Sequence, residues 1–311
     1  MKKLLAVILI LCLAFCFACG KKDKTDDSTT GSPSTDTSDT GSGGTSTDNG
    51  SGNQPSGDNG GSPSGDNGGA GSGDQPSGNT QPDSDLQPLS WTDRIFTGTF
   101  TDETVTKDPL VILTVYLPKV SANDDIELYY QGRLDRVKEQ AQTTYLDLGR
   151  GNYQFASQGI GIFTPITVEL GYQVVRNDGK LFSVVRDIYE NTGGAHPSIT
   201  LAAETFRVSD GALMVFSDLF TVSYDDAVAR IKPLVEKHMD ERIAQYGAEY
   251  YFDNAKSDLF NMWDKTDWYI TDDTLVLIWQ TYAISPYVAG VQEYAIPLRE
   301  IADIVDAQWI N

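Results

Sequence analysis

Apolar and polar residues divide this 311-residue chain into three segments of different character. An apolar run extends from Leu4 to Phe17, and the polar stretch from Gly20 to Pro88 follows it almost without aliphatic or aromatic residues. From Leu89 to Asn311, apolar positions recur at the spacings typical of strands and helices. Only this last segment, of about 220 residues, has the composition needed to bury a hydrophobic core.

Strands are predicted where β-branched and aromatic residues lie between turn formers. The clearest pair is Thr164–Val175 and Leu181–Tyr189, which Asn177-Asp178-Gly179 separates. Asp-Gly accepts the positive φ angles of a tight turn, so this pair is predicted to form a hairpin. The other predicted strands are Arg94–Thr101, Pro109–Val120, Ser198–Val208, Trp268–Ile270, Thr274–Tyr282 and Tyr294–Pro297.

Apolar residues at spacings of three and four predict two long helices. The first begins at Asp124, which can cap it, and extends to about Tyr145. The second is Tyr224–Tyr246, and Pro233 in its middle is expected to kink or split it. Helices inserted among strands that tight turns join predict an α+β fold with an antiparallel sheet. Shorter helices are predicted at Asp253–Trp263 and Leu298–Asp306, while the glycine-rich stretch Gly149–Gly161 is ambiguous.

The first residues have the features of an export signal. Lys2 and Lys3 precede the apolar run, and the small residue Ala18 follows it. The run has roughly 14 residues and a membrane-spanning helix needs about 20, so the run is too short to span a bilayer. A basic start, a short apolar run and a small residue before the cut are typical of a secretory signal peptide.

Cys19, directly after Ala18, makes this segment resemble a bacterial lipoprotein signal. The resemblance implies that the chain is cut before Cys19 and that the Cys19 thiol carries a lipid such as palmitate. It also implies that the protein is held at the cell membrane, facing outside. The sequence departs from the pattern at Cys16, which stands where leucine is usual, and an ordinary signal peptide is the alternative.

The polar segment is predicted to be a disordered linker, because it has no apolar residues to bury. The heptapeptide PSGDNGG occurs at residues 55–61 and again at residues 63–69. A calcium-binding solenoid would also repeat such units, but it needs apolar residues to stack inside its coil. As a flexible Gly/Ser-rich chain the segment would average about 45 Å from end to end.

Charge and cysteine content restrict the function of the segment from Leu89 onward. It holds 18 basic and 33 acidic residues, a net charge of −15, which disfavours binding to nucleic acid or anionic lipid headgroups. All three cysteines lie at or before Cys19, which excludes thiol catalysis and thiolate metal sites in the folded segment. With two distant histidines, no Gly-x-Ser-x-Gly motif and no phosphate-binding loop, we expect no cofactor, no metal and no catalytic residues.

Two loop segments carry the candidate ligand-binding residues. His196 follows Gly193 and Gly194 between two predicted strands, and the glycines permit close backbone approach or positive φ. Tyr282 and Tyr287 lie in a predicted turn near the C-terminus, where exposed tyrosines can stack on sugars or anchor a protein partner. The alternatives are a wide hairpin whose glycines serve geometry alone, and tyrosines that pack under their loop. His238, on the apolar face of the second long helix, is expected to be a residue of the core or its edge.

Several of these motifs, in the same order, resemble an extracellular domain of unknown chemistry. It occurs in the lysozyme-sensing anti-sigma factor RsiV and in the non-catalytic part of PdaC-type peptidoglycan deacetylases. The resemblance implies an α+β fold outside the cell and, from RsiV, capture of lysozyme. This chain has neither a sigma-binding segment nor a deacetylase domain. The motifs are Tyr189–Pro197 (YENTGGAHP), Phe216–Phe220 (FSDLF), Leu275–Ile278 (LVLI), Tyr282–Gly290 (YAISPYVAG) and Glu293–Pro297 (EYAIP).

We therefore expect a cell-surface lipoprotein that binds an envelope ligand and is not an enzyme. The leading hypothesis is capture of lysozyme or a similar cationic wall-active protein, which the acidic domain would complement. The alternatives are a peptidoglycan- or glycan-binding module and a cell-wall hydrolase that uses His196. The predicted domain organisation is a signal peptide (1–18), a lipid-anchored linker (19–88), an N-terminal α+β subdomain (89–190) and an RsiV-like α+β subdomain (191–311).

Overall fold

A computed structural model describes residues 87–310 of the chain. Their first half forms a five-stranded sheet in which the strands lie in sequence order. Adjacent strands are antiparallel except for the second and third, which are parallel. The strands are β1 (Ser90–Asp102), β2 (Thr106–Ser121), β3 (Ile166–Asn177), β4 (Leu181–Asn191) and β5 (Ser198–Arg207).

Two helices connect β2 to β3, and this connection explains why these two strands are parallel, since a parallel pair needs a long crossover. The first helix, α1 (Asp124–Gln142), begins where the Asn123 side chain accepts a hydrogen bond from the Ile126 amide. The second helix, α2 (Thr144–Ser157), occupies most of the glycine-rich stretch that the sequence left ambiguous. The predicted apolar face of α1 is confirmed by its buried residues: Ile126, Tyr130, Leu134, Val137 and Ala141.

The predicted hairpin is confirmed as the β3–β4 pair. Its turn depends on Asp178 and Gly179. Gly179 has φ +88°, and the Asp178 carboxylate accepts the backbone amides of Lys180 and Leu181 at 3.0 and 2.9 Å. β5 pairs with β4 across the predicted boundary between residues 190 and 191, and that boundary itself stays a prediction.

The second half contains α3 (Tyr224–Tyr246) and a three-stranded antiparallel sheet. Ser223 caps α3 by accepting the Asp226 amide at 3.2 Å, and Gly247 with φ +99° ends it. Pro233 does not split this helix, because Ile231 and Val235 are buried on either side of it and hold both halves in one core. The strands are β6 (Trp268–Ile270), β7 (Thr274–Trp279) and β8 (Gln292–Pro297).

Two short helices predicted from the sequence are not observed. Residues 253–263 form consecutive turns. Their backbone hydrogen bonds are of mixed type: the Ala255 amide donates to the Phe252 carbonyl three residues back, and the Asp258 amide to the Asn254 carbonyl four residues back. Of the predicted helix Leu298–Asp306, only Leu298–Glu300 is helical, as a 3-10 turn, and a second 3-10 turn follows at Ala307–Trp309. Residues 301–304 form a turn, and Val305 makes an isolated β-bridge with Phe220. The α+β class itself is confirmed.

The described residues contain two hydrophobic clusters. One lies between the five-stranded sheet and the helices α1 and α2, and includes Leu113, Tyr130 and Phe182. The other surrounds α3 and the three-stranded sheet and includes Trp279 and Tyr294. Each sheet thus packs its buried side chains against helices, as a layered α+β domain requires.

Candidate functional site

The β4–β5 connection, Asn191–Pro197, owes its shape to Gly193. This glycine has φ +85°, and its amide donates to the Asn191 side-chain oxygen at 3.1 Å. The Asn152 amide of α2 donates to the Thr192 carbonyl at 2.8 Å, and a Cβ on Gly193 would lie 2.5 Å from the same Asn152 nitrogen. A Cβ on Gly194 would not be crowded, since its nearest neighbour, the His196 carbonyl oxygen, would be 3.9 Å away. Gly193 is therefore explained by loop geometry.

The second loop, residues 280–291, is held from α3. The buried Gln292 side chain donates to the carbonyls of Ala289 and Gly290 at 2.6 and 3.2 Å. Arg242 of α3 donates to the Gln292 side-chain oxygen at 2.7 Å. Tyr282 in this loop has φ +69°, a left-handed conformation that costs a non-glycine residue about 1–2 kcal/mol. Such strain is more frequent at functional sites than elsewhere.

The two loops meet through His196, Tyr282 and Tyr287, which we call the aromatic cluster. The rings of His196 and Tyr287 are stacked, with centroids 3.7 Å apart and an interplanar angle of 26°. The Tyr287 hydroxyl donates to the Pro197 carbonyl at 2.8 Å. The Tyr282 hydroxyl lies 3.2 Å from His196 Nε2. The sequence motifs that predict these three residues as binding candidates are separate, and the structure brings the residues together. Their role in binding a ligand stays a prediction.

The hydrogen bonds of His196 determine its neutral tautomer. Nδ1 lies 3.1 Å from the Pro197 carbonyl, which can only accept, so Nδ1 carries the proton. Nε2 is then an acceptor, and the Tyr282 hydroxyl donates to it. In this tautomer the hydrogen bond from Tyr282 holds its side chain within the aromatic cluster.

The aromatic cluster lies at one end of the five-stranded sheet and the chain enters at the other. Leu89 at the entry exchanges two hydrogen bonds with the Asn177 side chain, where β3 ends, both at 2.8 Å. The cluster lies beyond the end of β4, and an 11-residue strand spans about 33 Å. A partner can therefore approach the cluster at a distance from the linker.

Exposed aliphatic residues surround this end of the sheet. Val288, next to Tyr287, is 91% exposed, and Tyr282 is 53% exposed. The loop that precedes β3 reaches the same end of the sheet, since Thr167 at the start of β3 pairs with Asn191 at the end of β4. In that loop Ile162 is 93% exposed. We call the three loops, residues 158–165, 191–197 and 280–291, the loop-end surface.

A clamp that the sequence analysis did not identify fixes the start of the second loop. Gln280 donates to the Leu201 carbonyl at 2.7 Å and accepts the Leu201 amide at 3.2 Å. The same Gln280 amide donates to the Asp267 carboxylate at 2.7 Å. Burial raises the pKa of Asp267 to about 6, while this hydrogen bond acts in the opposite direction. Gln280 closes a hydrophobic strand in the sequence, but nothing local shows that it pairs with β5.

Asp267→Asn is expected to stabilise the domain at pH values above that pKa. The folded-state pKa is raised, so the contribution of Asp267 to stability is complete below its ordinary value of 3.8 and is lost as the pH rises through about 6. Asparagine still accepts from Gln280 but never ionises. We expect the free energy of unfolding of the variant to exceed that of the parent by about 2 kcal/mol at neutral pH. In acid the two values should be equal.

The measurement is urea unfolding of both proteins over a pH series. Asp264→Asn is the control, since Asp264 is exposed and only raises the pKa of Asp267 from a distance. An Asp267→Asn difference that does not change with pH would contradict this account.

His238 is partly exposed on α3, 3.7 Å from Glu241, with its ring against the edge of Tyr294, so it lies at the edge of the core as expected. Within residues 87–310, no three His, Cys, Asp or Glu side chains are grouped to hold a metal ion. The same residues contain no helix long and apolar enough to cross a membrane. Cys19 lies outside the described residues.

Comparisons with known proteins identify a family over part of the chain. Residues 217–299 match the model of DUF3298, a protein family of unknown function. A DUF3298-family protein of Bacteroides fragilis has a similar crystal structure, with 16% sequence identity and a TM-score of 0.54 over 71% of this chain and 96% of that chain. A DUF3298-family protein of Pseudomonas aeruginosa PAO1 aligns with 13% identity and a TM-score of 0.49 over 73% of this chain and 98% of that chain.

No curated protein matches the chain. The specific resemblance to RsiV and to PdaC-type deacetylases stays a prediction. The matched residues 217–299 include α3, all of β6 and β7, and the loop that carries Tyr282 and Tyr287. They do not include His196, which reaches the same surface from the β4–β5 connection. This chain is thus similar to DUF3298, a family of unknown function, over residues 217–299, and shares its fold with the Bacteroides fragilis member.

Proposed function

We propose that this chain is a bacterial cell-surface lipoprotein, anchored through Cys19, whose folded domain binds a cationic protein of the cell envelope, with lysozyme as the model ligand. The observation that carries the proposal is the aromatic cluster at the loop-end surface. It combines a half-exposed tyrosine with a stacked histidine–tyrosine pair, held by hydrogen bonds rather than by burial. Tyrosines on a rigid framework are frequent anchors of protein interfaces, because they bury much area at little entropic cost.

Charge supports a cationic ligand. The segment from Leu89 onward has a net charge of −15, and a field of that sign raises the association rate of a basic protein. The position of the cluster supports an extracytoplasmic partner, because the linker enters the domain at the opposite end of the sheet. The resemblance to the lysozyme-sensing RsiV domain points to the same kind of ligand.

A glycan ligand is the second candidate, and the exposed ring of Tyr282 favours it. This ring is tilted by 32° to that of Tyr287, with centroids 5.9 Å apart, so the two form neighbouring but unequal platforms. Aromatic side chains that combine an apolar face with a polar tip suit sugar rings as well as proteins. Salt distinguishes the candidates, since screening weakens attraction between charged proteins and leaves a neutral glycan almost unaffected.

Tyr282→Ala is expected to weaken lysozyme binding by tenfold or more. Truncating a central aromatic anchor commonly costs about 2 kcal/mol of binding free energy. Tyr246→Ala is the matched control, because Tyr246 is also 53% exposed but lies at the end of α3. Affinities of the full chain for lysozyme and for purified peptidoglycan, at low and high salt, give the readout, with thermal unfolding to confirm that each variant is folded.

Three results would contradict the proposal. One is equal loss of affinity in the Tyr246 and Tyr282 variants. Another is lysozyme binding that increases with salt. The third is tight, salt-insensitive binding to peptidoglycan without lysozyme capture, which would replace the protein ligand with the glycan. The lipid anchor has a separate test, so these outcomes leave it unaffected.

A further inference from the structure

A pocket of about 320 Å³, which no part of the proposed function uses, lies against the free edge of β5. Its floor is the strand at Ala203. Its walls include Phe216 and Trp268, both almost fully buried, and the exposed side chains of Leu213 and Val215 stand at its mouth. None of the three residues of the aromatic cluster lines this pocket. Its chemistry therefore needs its own explanation.

The backbone of β5 has an unpaired position at this pocket. Alternate residues of a strand direct their backbone groups to the same edge. On the edge away from β4, Leu201 is paired by the Gln280 side chain, and the Thr205 carbonyl accepts the Met214 amide at 2.8 Å. Ala203 lies between them, and within residues 87–310 no hydrogen bond is found to its outward N–H or C=O.

Such a gap is a template for one residue of another extended chain. The Gln280 amide already imitates a strand residue at Leu201, and residues 212–214 do so at Thr205. A peptide residue placed between them would satisfy both backbone groups of Ala203. Adding a strand to an exposed sheet edge is a recurrent mode of peptide recognition, in which backbone bonds provide affinity and pockets select side chains. The apolar walls favour an aliphatic side chain.

The charged group at the pocket is Lys265. Its ammonium lies 4.2 Å from the ring centroid of Tyr224, and no carboxylate within residues 87–310 is in ion-pair distance of it. The neighbouring acids have other partners. Asp264 accepts from Thr266, Asp267 accepts from Gln280, and Glu204 accepts from Arg186 and Tyr129. In a domain this acidic, an unpaired lysine at the rim of a pocket favours an anionic ligand.

We propose that this pocket binds the carboxyl-terminal residues of an extended peptide. The last residues pair with the N–H and C=O of Ala203 along the edge of β5. An aliphatic side chain fills the space beside Phe216 and Trp268. The terminal carboxylate binds the Lys265 ammonium as a charge-assisted partner. This inference is independent of the aromatic cluster, because it uses none of that cluster's three residues, His196, Tyr282 and Tyr287.

The test uses the full chain and the tripeptide acetyl-Ala-Ala-Val, with a free carboxylate or as its carboxamide. Calorimetry should show that the carboxamide binds about tenfold more weakly, and Lys265→Gln should cause a similar loss for the free acid. Lys256→Gln is the matched control, since that lysine is exposed but paired with Asp240 on another surface. Hydrogen exchange of the Ala203 amide should slow only when the free-acid peptide is bound.

Each alternative outcome overturns the proposal. Equal binding of acid and carboxamide would remove the carboxylate site. Unchanged exchange at Ala203 would remove the strand pairing. Acetate that binds as tightly as the peptide would reduce the pocket to an anion site. None of these results changes the expectation for the Tyr282 variant.

Discussion

Replacing Glu204 with alanine is expected to destabilise the domain by about 3–5 kcal/mol, the usual cost of removing one partner of a buried ion pair. Glu204 of β5 and Arg186 of β4 are diagonal neighbours across the strand pair, with their side chains 3% and 4% exposed. The carboxylate accepts from Arg186 Nε at 3.0 Å and from the Tyr129 hydroxyl of α1 at 3.0 Å. Without it, the guanidinium would remain buried with no counter-charge.

Asp240→Ala is the control for this prediction. Asp240 pairs with Lys256 at the surface, where both side chains are at least 40% exposed, and such pairs contribute about 0–1 kcal/mol. The double variant Arg186→Met with Glu204→Leu should regain most of the lost stability, because it removes both charges and restores the volume. Urea unfolding of the four proteins provides the comparison. The interpretation fails if Glu204→Ala costs no more than Asp240→Ala.

This ion pair also bears on the candidate site. It holds β4 to β5 and both strands to α1, and the loop that carries His196 connects those two strands. A loss of ligand binding in the Glu204 variant would therefore follow from lost folding. A loss of binding in the Tyr282 variant should occur with an unchanged free energy of unfolding. This difference distinguishes a residue that maintains the fold from one that contacts the ligand.

The elements that the sequence predicts well are those whose ends carry their own chemistry. The α3 helix begins after Ser223 and ends before Gly247. The β3–β4 hairpin turns at Asp178-Gly179, where one residue caps the turn and the next accepts positive φ. In each case the side chain that fixes the boundary hydrogen-bonds to a backbone amide two or three residues further along the chain. A local sequence pattern therefore predicts the boundary.

The sequence fails where the cause is distant. Residues 298–306 have the composition of a helix, but the Ile304 carbonyl accepts the Thr221 amide and Val305 bridges to Phe220, so an earlier segment takes the backbone groups that a helix would use. The buried pair of Arg186 with Glu204 gives no local sign either, since charged residues in strands ordinarily face solvent. Pairing across the sheet decides both cases, and it depends on register rather than on composition.

The candidate site falls between these extremes. Nearby glycine and proline residues predict that His196 and Tyr287 each lie in a loop, where ligand-binding residues are common. Their stacking across 91 positions could not be derived, because it requires Pro197 to accept the Tyr287 hydroxyl. The pocket at Ala203 was missed entirely. An unpaired edge is visible only when the neighbours of every strand are known.

Cys19→Ser is expected to abolish lipid attachment completely, because serine lacks the thiol to which the lipoprotein pathway attaches the lipid. Cys16→Ser is the matched control. It changes the cysteine that departs from the lipoprotein pattern, and bulky Phe15 before it makes Cys16 a poor site for cleavage. Metabolic labelling with a fatty acid should mark the parent and Cys16→Ser equally, and leave Cys19→Ser unlabelled and either uncut or shed.

Labelling retained in Cys19→Ser would contradict Cys19 as the anchor, and a parent protein without label would be an ordinary exported protein. The result also sets the geometry available for binding. Within the described residues, the aromatic cluster lies about 33 Å from the point where Leu89 enters the sheet. A shed domain would bind the same ligand in solution, so cell-surface capture of lysozyme should require Cys19 whereas the affinity itself should not.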